Sequence, residues 1–330
     1  TFLAIDDNDW IVVSADNYYM GSKDAAKLVS FSTGLNAYGF EQFDLQYNRP
    51  DKVLESLPGA DTSLIPLYRK AYQKRLQKSG IDESYFSPEF RSPEITITNR
   101  SELQLLTQQT TSGIRIGTRG DVMSLHAWVN GVPCFNTNGL LTGSNTIDTL
   151  LNIPLSTGRN RIEIACMNHK GVMSLKEEVV IVREPVSQTK PDLYLISLAV
   201  SEYSDARYNL AYTINDGRGF IGAFTENNTQ FANIFIDSLF NSRCTRENLE
   251  VVAKRLKNTH VDDVVIVHVA GHGLLGEDLE FYYALSGTDF KQPEKSSLQY
   301  SQIEAILADI PSRNKLLLLD ACHSGEVDEA

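Results

Sequence analysis

The chain has 330 residues, 42% of them hydrophobic and 22% charged, and a formal net charge of -12. Its length calls for two or three domains and its composition is that of a folded globular protein. The acidic balance speaks against a nucleic-acid or anionic-membrane surface, and no apolar run approaches the about 20 residues that span a bilayer.

The start, Thr1-Phe2-Leu3-Ala4, lacks a basic n-region and reads as internal rather than as a signal peptide. Residues 1–60 read as short strands and turns, with Trp10-Ile11-Val12-Val13 before a polar turn and Tyr18-Tyr19-Met20-Gly21 after it. This stretch resembles the closing part of a WD-repeat propeller, and the segment from Phe40 to Val53 is similar to the tail behind such propellers. The alternative is an irregular β-rich extension, since no repeat is visible within the chain.

Residues 61–92 are expected to hold a helix and a linker. Over 64–79, Leu64, Leu67, Tyr68, Ala71, Tyr72 and Leu76 recur at helical spacing, with Arg69, Lys70, Lys74, Arg75 and Lys78 expected in solvent. Gly80 is the stop.

Residues 93–184 alternate as strands do: 94–98, 113–117, 121–129, 161–166 and 178–182. Asn130-Gly131 between apolar runs signals a hairpin. Short strands with turns between them predict a β-sandwich of immunoglobulin type, a spacer or a docking surface for a regulatory partner. Trp128 does not lie between Cys134 and Cys166, so the Cys–Trp–Cys framework fails and no disulfide is expected. His126 and Trp128 read as packing residues. Four scattered cysteines, Cys134, Cys166, Cys244 and Cys322, lack metal spacing and point to a reducing, cytoplasmic setting.

Residues 185–191 form a linker, and from 192 to 330 strands alternate with helices, which predicts an α/β domain with a mainly parallel sheet. Strands are expected at 193–200, 234–239, 263–270 and 315–319. Helices are expected at 215–224, from a Thr245 cap to Leu256, and from a capping box at Ser301-Gln302-Ile303-Glu304. The fold class is thus a β-rich N-terminal part followed by an α/β domain.

Two of those strands run into small-residue turns. One is Val264-Val265-Ile266-Val267-His268-Val269-Ala270-Gly271-His272-Gly273, the other Leu316-Leu317-Leu318-Leu319-Asp320-Ala321-Cys322-His323-Ser324-Gly325. A thiol needs a base to become a thiolate at neutral pH, and an imidazole is the usual one. Neighbouring strand ends of a parallel sheet could bring His272 and Cys322 together. Cys322 reads as a nucleophile rather than a buried structural thiol, because its strand delivers it to the carboxyl edge of the sheet. His272 lies between Gly271 and Gly273, which let a substrate backbone approach. His268 reads as a packing residue inside its strand, and His323 as an electrostatic neighbour of the thiol.

These segments, in this order, resemble the caspase-like cysteine peptidases, the clan of caspases, metacaspases and orthocaspases. The resemblance covers about residues 190–330 and includes Tyr194 to Tyr203 as the opening strand. It implies the large-subunit region of a cysteine endopeptidase, with His272 as base and later acid and Cys322 as nucleophile. It also implies an oxyanion hole from the N–H groups of Gly273 and Cys322. Asp216 and Asp320 match the acids with which metacaspases and orthocaspases bind Arg or Lys, a pairing suited to a guanidinium. The other reading has Asp216 capping a helix and Asp320 orienting a turn.

Asp289, with Asp328 or Glu329, matches part of a calcium site, but Tyr300-Ser301-Gln302 stands where an acidic pair is expected. No complete metal site and no cofactor are therefore expected. The resemblance also implies a downstream small-subunit segment completing the sheet, with Ala330 a processing or ordering limit. The overall expectation is the proteolytic output of a regulated bacterial multidomain protein acting on protein or peptide substrates. The rival is a catalytically silent caspase-like scaffold.

Overall fold

The structure, a computed structural model, describes residues 1–5, 8–22, 25, 29–33, 36–86, 92–135, 139–142, 146–185, 190–226, 228–276, 280–308 and 310–322. The chain divides into two compact units. The first comprises Thr1–Leu155 and Arg159–Arg183, the second Ser156–Gly158 and Glu184–Ala330.

The first unit opens with β1 (Phe2–Ala4), β2 (Trp10–Val13) and β3 (Tyr19–Gly21) in one antiparallel sheet, then the hairpin of β4 (Ser30–Thr33) and β5 (Asn36–Gly39). Strands were expected to continue from there. The chain instead turns helical through α1 (Asp44–Tyr47) and α2 (Pro50–Ser56). Pro50 at the first position of α2 supplies a preset φ where no N–H partner is needed. Tyr19, Phe40, Phe43 and Tyr47 close a small aromatic core above β2.

α3 (Leu64–Ser79) ends where foreseen, with Gly80 left-handed at φ 67° and its N–H on the Leu76 and Gln77 carbonyls. Its apolar face is not buried throughout: Tyr72 and Leu76 are, whereas Leu64, Leu67 and Tyr68 are exposed. The expected solvated face is partly engaged, for Arg75 donates to Asp44 at 2.8 Å and Arg69 pairs with Glu55. Polar contacts hold the helix, because the buried Arg49 lies 3.7 Å over the Tyr72 ring and bonds Asp51 at 2.9 Å and Glu83 at 2.7 Å.

The rest of the unit is β6 (Glu94–Ile97), β7 (Leu106–Thr107), β8 (Thr111–Arg119), β9 (Ser124–Val129), β10 (Val132–Pro133), β11 (Leu140–Leu141), β12 (Asp148–Pro154), β13 (Gly158–Met167) and β14 (Glu177–Arg183). Asn130 and Gly131, both at positive φ, turn β9 into β10 as their sequence requires. One sheet runs β12-β8-β6; the other runs β10-β9-β13-β14-β7, with β11 on β9. Both send alternate side chains into one core: Ile114, Ile116, Leu151 and Ile153 from the first, Leu125, Val129, Ile162, Ile164 and Ile181 from the second. β12 was not anticipated, although its Leu151 and Ile153 show the alternation; polar and exposed neighbours diluted it.

The second unit is α/β. Its sheet joins β15 (Leu193–Ala199), β16 (Ile234–Phe240), β17 (Val264–Leu275), β18 (Phe281–Tyr283), β19 (Leu298–Gln299) and β20 (Asn314–Cys322). The order is β16-β15-β17-β18-β19, with β20 also on β17; β16, β15, β17 and β20 are mutually parallel. The helices are α4 (Thr213–Thr225), α5 (Arg246–Leu256), α6 (Pro293–Ser296) and α7 (Tyr300–Ala308). Thr245 caps α5 by accepting the Asn248 N–H at 3.2 Å. α5 and α7 bury Leu249, Val252, Leu256, Ile303 and Ile306 against Val265, Val267 and Val269 of one sheet face. α4 covers the other face through Phe220 and Phe224, over Leu193, Leu195 and Ile266. Each fully buried aliphatic side chain of this kind stabilises by about 1.5–3 kcal/mol before entropy is counted.

Three expectations need correction here. α7 begins at Tyr300, so Ser301 lies inside the helix and the supposed capping box is not its start; Gln302 instead accepts the Gln299 N–H at 3.0 Å. β17 does not turn at Ala270 but continues to Leu275, since β18 pairs with it from Gly273 onward. β20 likewise runs past Leu319 to Cys322, held by β17. Gly271 and Gly273, which suggested a turn, sit within β17, and Gly325 lies outside the described residues.

Candidate active site

Parallel register decides the site. From Val264↔Asn314 the β17–β20 ladder proceeds one pair at a time through Ala270↔Asp320 to His272↔Cys322, its last pair among the described residues. Neighbouring strands lie about 4.8 Å apart. The structure therefore brings the backbones of His272 and Cys322 together where the parallel part of β17 gives way to its pairing with β18, on the carboxyl side of the parallel sheet, the side where open α/β sheets present their ligand-binding groups. His323, Asp328 and Glu329 lie outside the described residues.

The imidazole of His272 is held from the loop behind β15. Its Nε2 lies 2.8 Å from the carbonyl oxygen of Tyr208. A carbonyl can only accept, so Nε2 carries the proton and the lone pair of the neutral ring is on Nδ1. Three aromatic rings surround it. Tyr203 lies at 5.2 Å, Phe290 at 5.5 Å and Tyr208 at 6.2 Å between ring centres, and Tyr208 stacks on Phe290 at 3.7 Å and 6°. None of these three was singled out from the sequence as a site residue, and no third group orienting His272 was expected. A backbone carbonyl leaves no mark in side-chain patterns.

The strand beneath the imidazole is fixed by tyrosine hydroxyls. Tyr203 donates to the Val200 carbonyl at 3.1 Å and accepts the His272 N–H at 3.3 Å; Tyr283 donates to the Ala270 carbonyl at 2.8 Å. Burial pushes the Tyr203 phenol up to about 12, so its hydroxyl keeps its proton. Gly271 is required here. Its φ is 153°, and a Cβ would lie 2.9 Å from the Tyr283 ring and 3.2 Å from the Tyr203 hydroxyl oxygen.

Ala284 donates its N–H to the His272 carbonyl at 2.9 Å, and Gly276 donates to Glu280 at 2.9 Å. Gly273↔Tyr283 is therefore a non-hydrogen-bonded pair of the antiparallel ladder, and the Gly273 N–H points away from β18.

Asp216 and Asp320 reach one face of the sheet from different elements. Asp216 is in the first turn of α4, and Asp320 pairs with Ala270 near the end of β20. Both carboxylates act on the charge of His268, which lies in β17 on the same face. Gly217 lets α4 come down on the strands, since a Cβ there would stand 2.9 Å from Ser197 Oγ, 3.0 Å from Phe240 and 3.3 Å from Ala199. Ala199, Ala270 and Asp320 follow one another across β15, β17 and β20 in register.

His268 is 7% exposed and stacks on Phe220 at 4.7 Å, as its packing role required. Two other thiols are poor nucleophiles: burial pushes Cys244 up to about 12 and Cys166 up to about 11. Among the described residues no three His, Cys, Asp or Glu side chains gather to hold a metal ion, and no helix is long and apolar enough to cross a membrane.

The register thus sets the backbones of a His and a Cys side by side in neighbouring parallel strands. Residues 196–330 match the family model described as the caspase domain of peptidase family C14. No curated protein matches the chain. Among solved structures, protein GSU0716 from Geobacter sulfurreducens is similar at 19% identity and a TM-score of 0.33, over 42% of this chain and 53% of that one. The match thus spans about half the length of that protein. BC0361, a polysaccharide deacetylase from Bacillus cereus, is similar at 14% identity and a TM-score of 0.17, over 70% of this chain and 69% of that one. At such TM-scores neither likeness bears on fold or function.

Proposed function

We propose that the α/β unit is a cysteine endopeptidase that cleaves after Arg or Lys. The observation that carries this reading is the His272↔Cys322 pair closing the β17–β20 ladder, inside a segment that matches the caspase domain. Nδ1 of His272 takes the thiol proton of Cys322. The thiolate adds to the substrate carbonyl carbon, and the oxyanion is received by the N–H groups of Gly273 and Cys322. The carbon–nitrogen bond then breaks, and the departing amine takes the proton from His272. Water, deprotonated by the same ring, hydrolyses the thioester and restores both groups. No metal or organic cofactor has a step in this chemistry.

Asp216 and Asp320 would hold the basic side chain, which the shared face around His268 supports. The exposed Leu316, Leu318 and Leu319 of β20 support a further segment pairing there to complete the sheet. The paired sheets of the first unit support an immunoglobulin-type module that docks a regulatory partner, and its three-stranded opening sheet supports a propeller-derived origin.

The test is covalent trapping. An acyloxymethyl ketone with arginine at its reactive end should label the protein once, at Cys322 by peptide mapping, and labelling should vanish in His272→Ala. Equal labelling of Cys134 or Cys244, or labelling indifferent to His272, would sink the reading.

A further inference from the structure

The face of the sheet under α4 holds a second histidine that peptide cleavage does not use. His268 precedes His272 on β17 and is almost wholly buried, at 7% exposure. Its ring stacks on Phe220, and its Nδ1 lies 3.3 Å from the Ser197 hydroxyl on β15. Phe220 follows Asp216 by one helical turn on α4, so both side chains project from the same stripe. Leu318, the register partner of His268, precedes Asp320 by two on β20, so these two share a face. The imidazole therefore lies between the two elements that carry the acids. The charged groups acting on it are Asp320 from β20 and Asp216 from α4, while β15 presents the uncharged Ser197.

A leucine would pack against Phe220 as well, without a polar ring to satisfy. We propose that His268 is a specificity-determining residue of the basic-residue pocket: its neutral ring floors the space between Asp216 and Asp320, and its protonation cancels charge that those acids need to hold an arginine or lysine side chain. This rests on the cleavage reading above and adds a pH limit to it.

Burial pushes the imidazole below its ordinary value, against the smaller opposing pull of Asp320 and Asp216, so the ring is uncharged at neutral pH. A proton on His268 and a cationic substrate side chain then compete for the same two carboxylates. By linkage each weakens the other by the same factor.

The experiment measures binding of an arginine-ended peptide to the Cys322→Ala protein from pH 8 to pH 5, by calorimetry. Kd should be level at the upper end and rise only at a pH below the ordinary histidine value of about 6.5, by up to about tenfold per pH unit. A peptide with citrulline in place of arginine, equal in shape but uncharged, should show no such rise. His268→Gln keeps a hydrogen-bonding group for Ser197 without titrating, and its Kd should stay level through the same range. Should that variant fold poorly, histidine NMR of the Cys322→Ala protein reads the linkage directly: the His268 pKa should fall when the arginine peptide is added. Firm binding with a flat profile, a His268→Gln curve that overlays the parent, or a His268 pKa indifferent to the peptide overturns the proposal alone. Absence of arginine-peptide binding at pH 8 removes the pocket reading, and the proposal with it.

Discussion

The Nε2–H of His272 donates to the carbonyl oxygen of Tyr208 at 2.8 Å. That single bond fixes the tautomer, leaves the lone pair on Nδ1, and depends on a loop rather than on β17 or β20. The loop is itself braced by the 3.7 Å stack of Tyr208 on Phe290. Phe290→Ala should therefore let the imidazole drift while removing no reacting group. A misplacement of about 1 Å can cost about 100-fold in rate. We expect kcat to fall about 10- to 100-fold, with KM little changed. Steady-state kinetics check this, and a Phe290→Leu variant should recover part of the loss.

Gly271→Ala tests the strand beneath. The φ of 153° and the 2.9 Å approach to the Tyr283 ring leave no place for a methyl group. Strain of this kind costs about 1–3 kcal/mol. The urea midpoint of the α/β unit should drop accordingly, and activity should drop further than stability, because the next residue is His272.

Gly217→Ala acts on the other side of the site. Its Cβ would meet Ser197 Oγ at 2.9 Å and Phe240 at 3.0 Å, lifting the first turn of α4 and Asp216 with it. KM for basic substrates should rise several-fold while kcat changes little. Unchanged KM with lowered stability would assign Gly217 to packing alone.

Acid should weaken the fold through two histidines, the half-buried His126 and the buried His268. Burial holds both His126 and His268 below the ordinary histidine value. The unfolded chain then binds more protons than the folded one, so their contribution to stability is complete above the unfolded value of about 6.5 and is lost as pH falls below it. Each contributes at most about 1.4 kcal/mol per pH unit to the slope. Urea titrations at pH 7, 6 and 5 should show the midpoint falling, and His126→Gln should flatten part of the decline in the first unit's transition.

Much of this was legible before the structure, and most of the misses depend on partners distant in sequence. β15, α4, α5 and the partnership of β17 with β20 follow from apolar runs and capping residues, all local signals. The continuation of β17 to Leu275 was not legible, because Gly271-His272-Gly273 reads as a turn until β18 is there to pair with it. Tyr208 escaped notice because it serves through its backbone, and Phe290 because nothing near it in sequence is part of the site. α3 was misjudged in a different way. Its spacing gave the helix correctly, but the burial of only Tyr72 and Leu76 reflects Arg49 and its acids, which no periodicity announces.

The most direct test is cleavage of three matched fluorogenic peptides, ending in Arg, Lys or Asp before the reporter, by the protein and its Cys322→Ala form. The account predicts release from the Arg and Lys peptides, none from the Asp peptide, and no release at all after the substitution. Release that survives Cys322→Ala would contradict the His272–Cys322 mechanism, and Cys322-dependent release from the Asp peptide alone would contradict the Asp216 and Asp320 pocket.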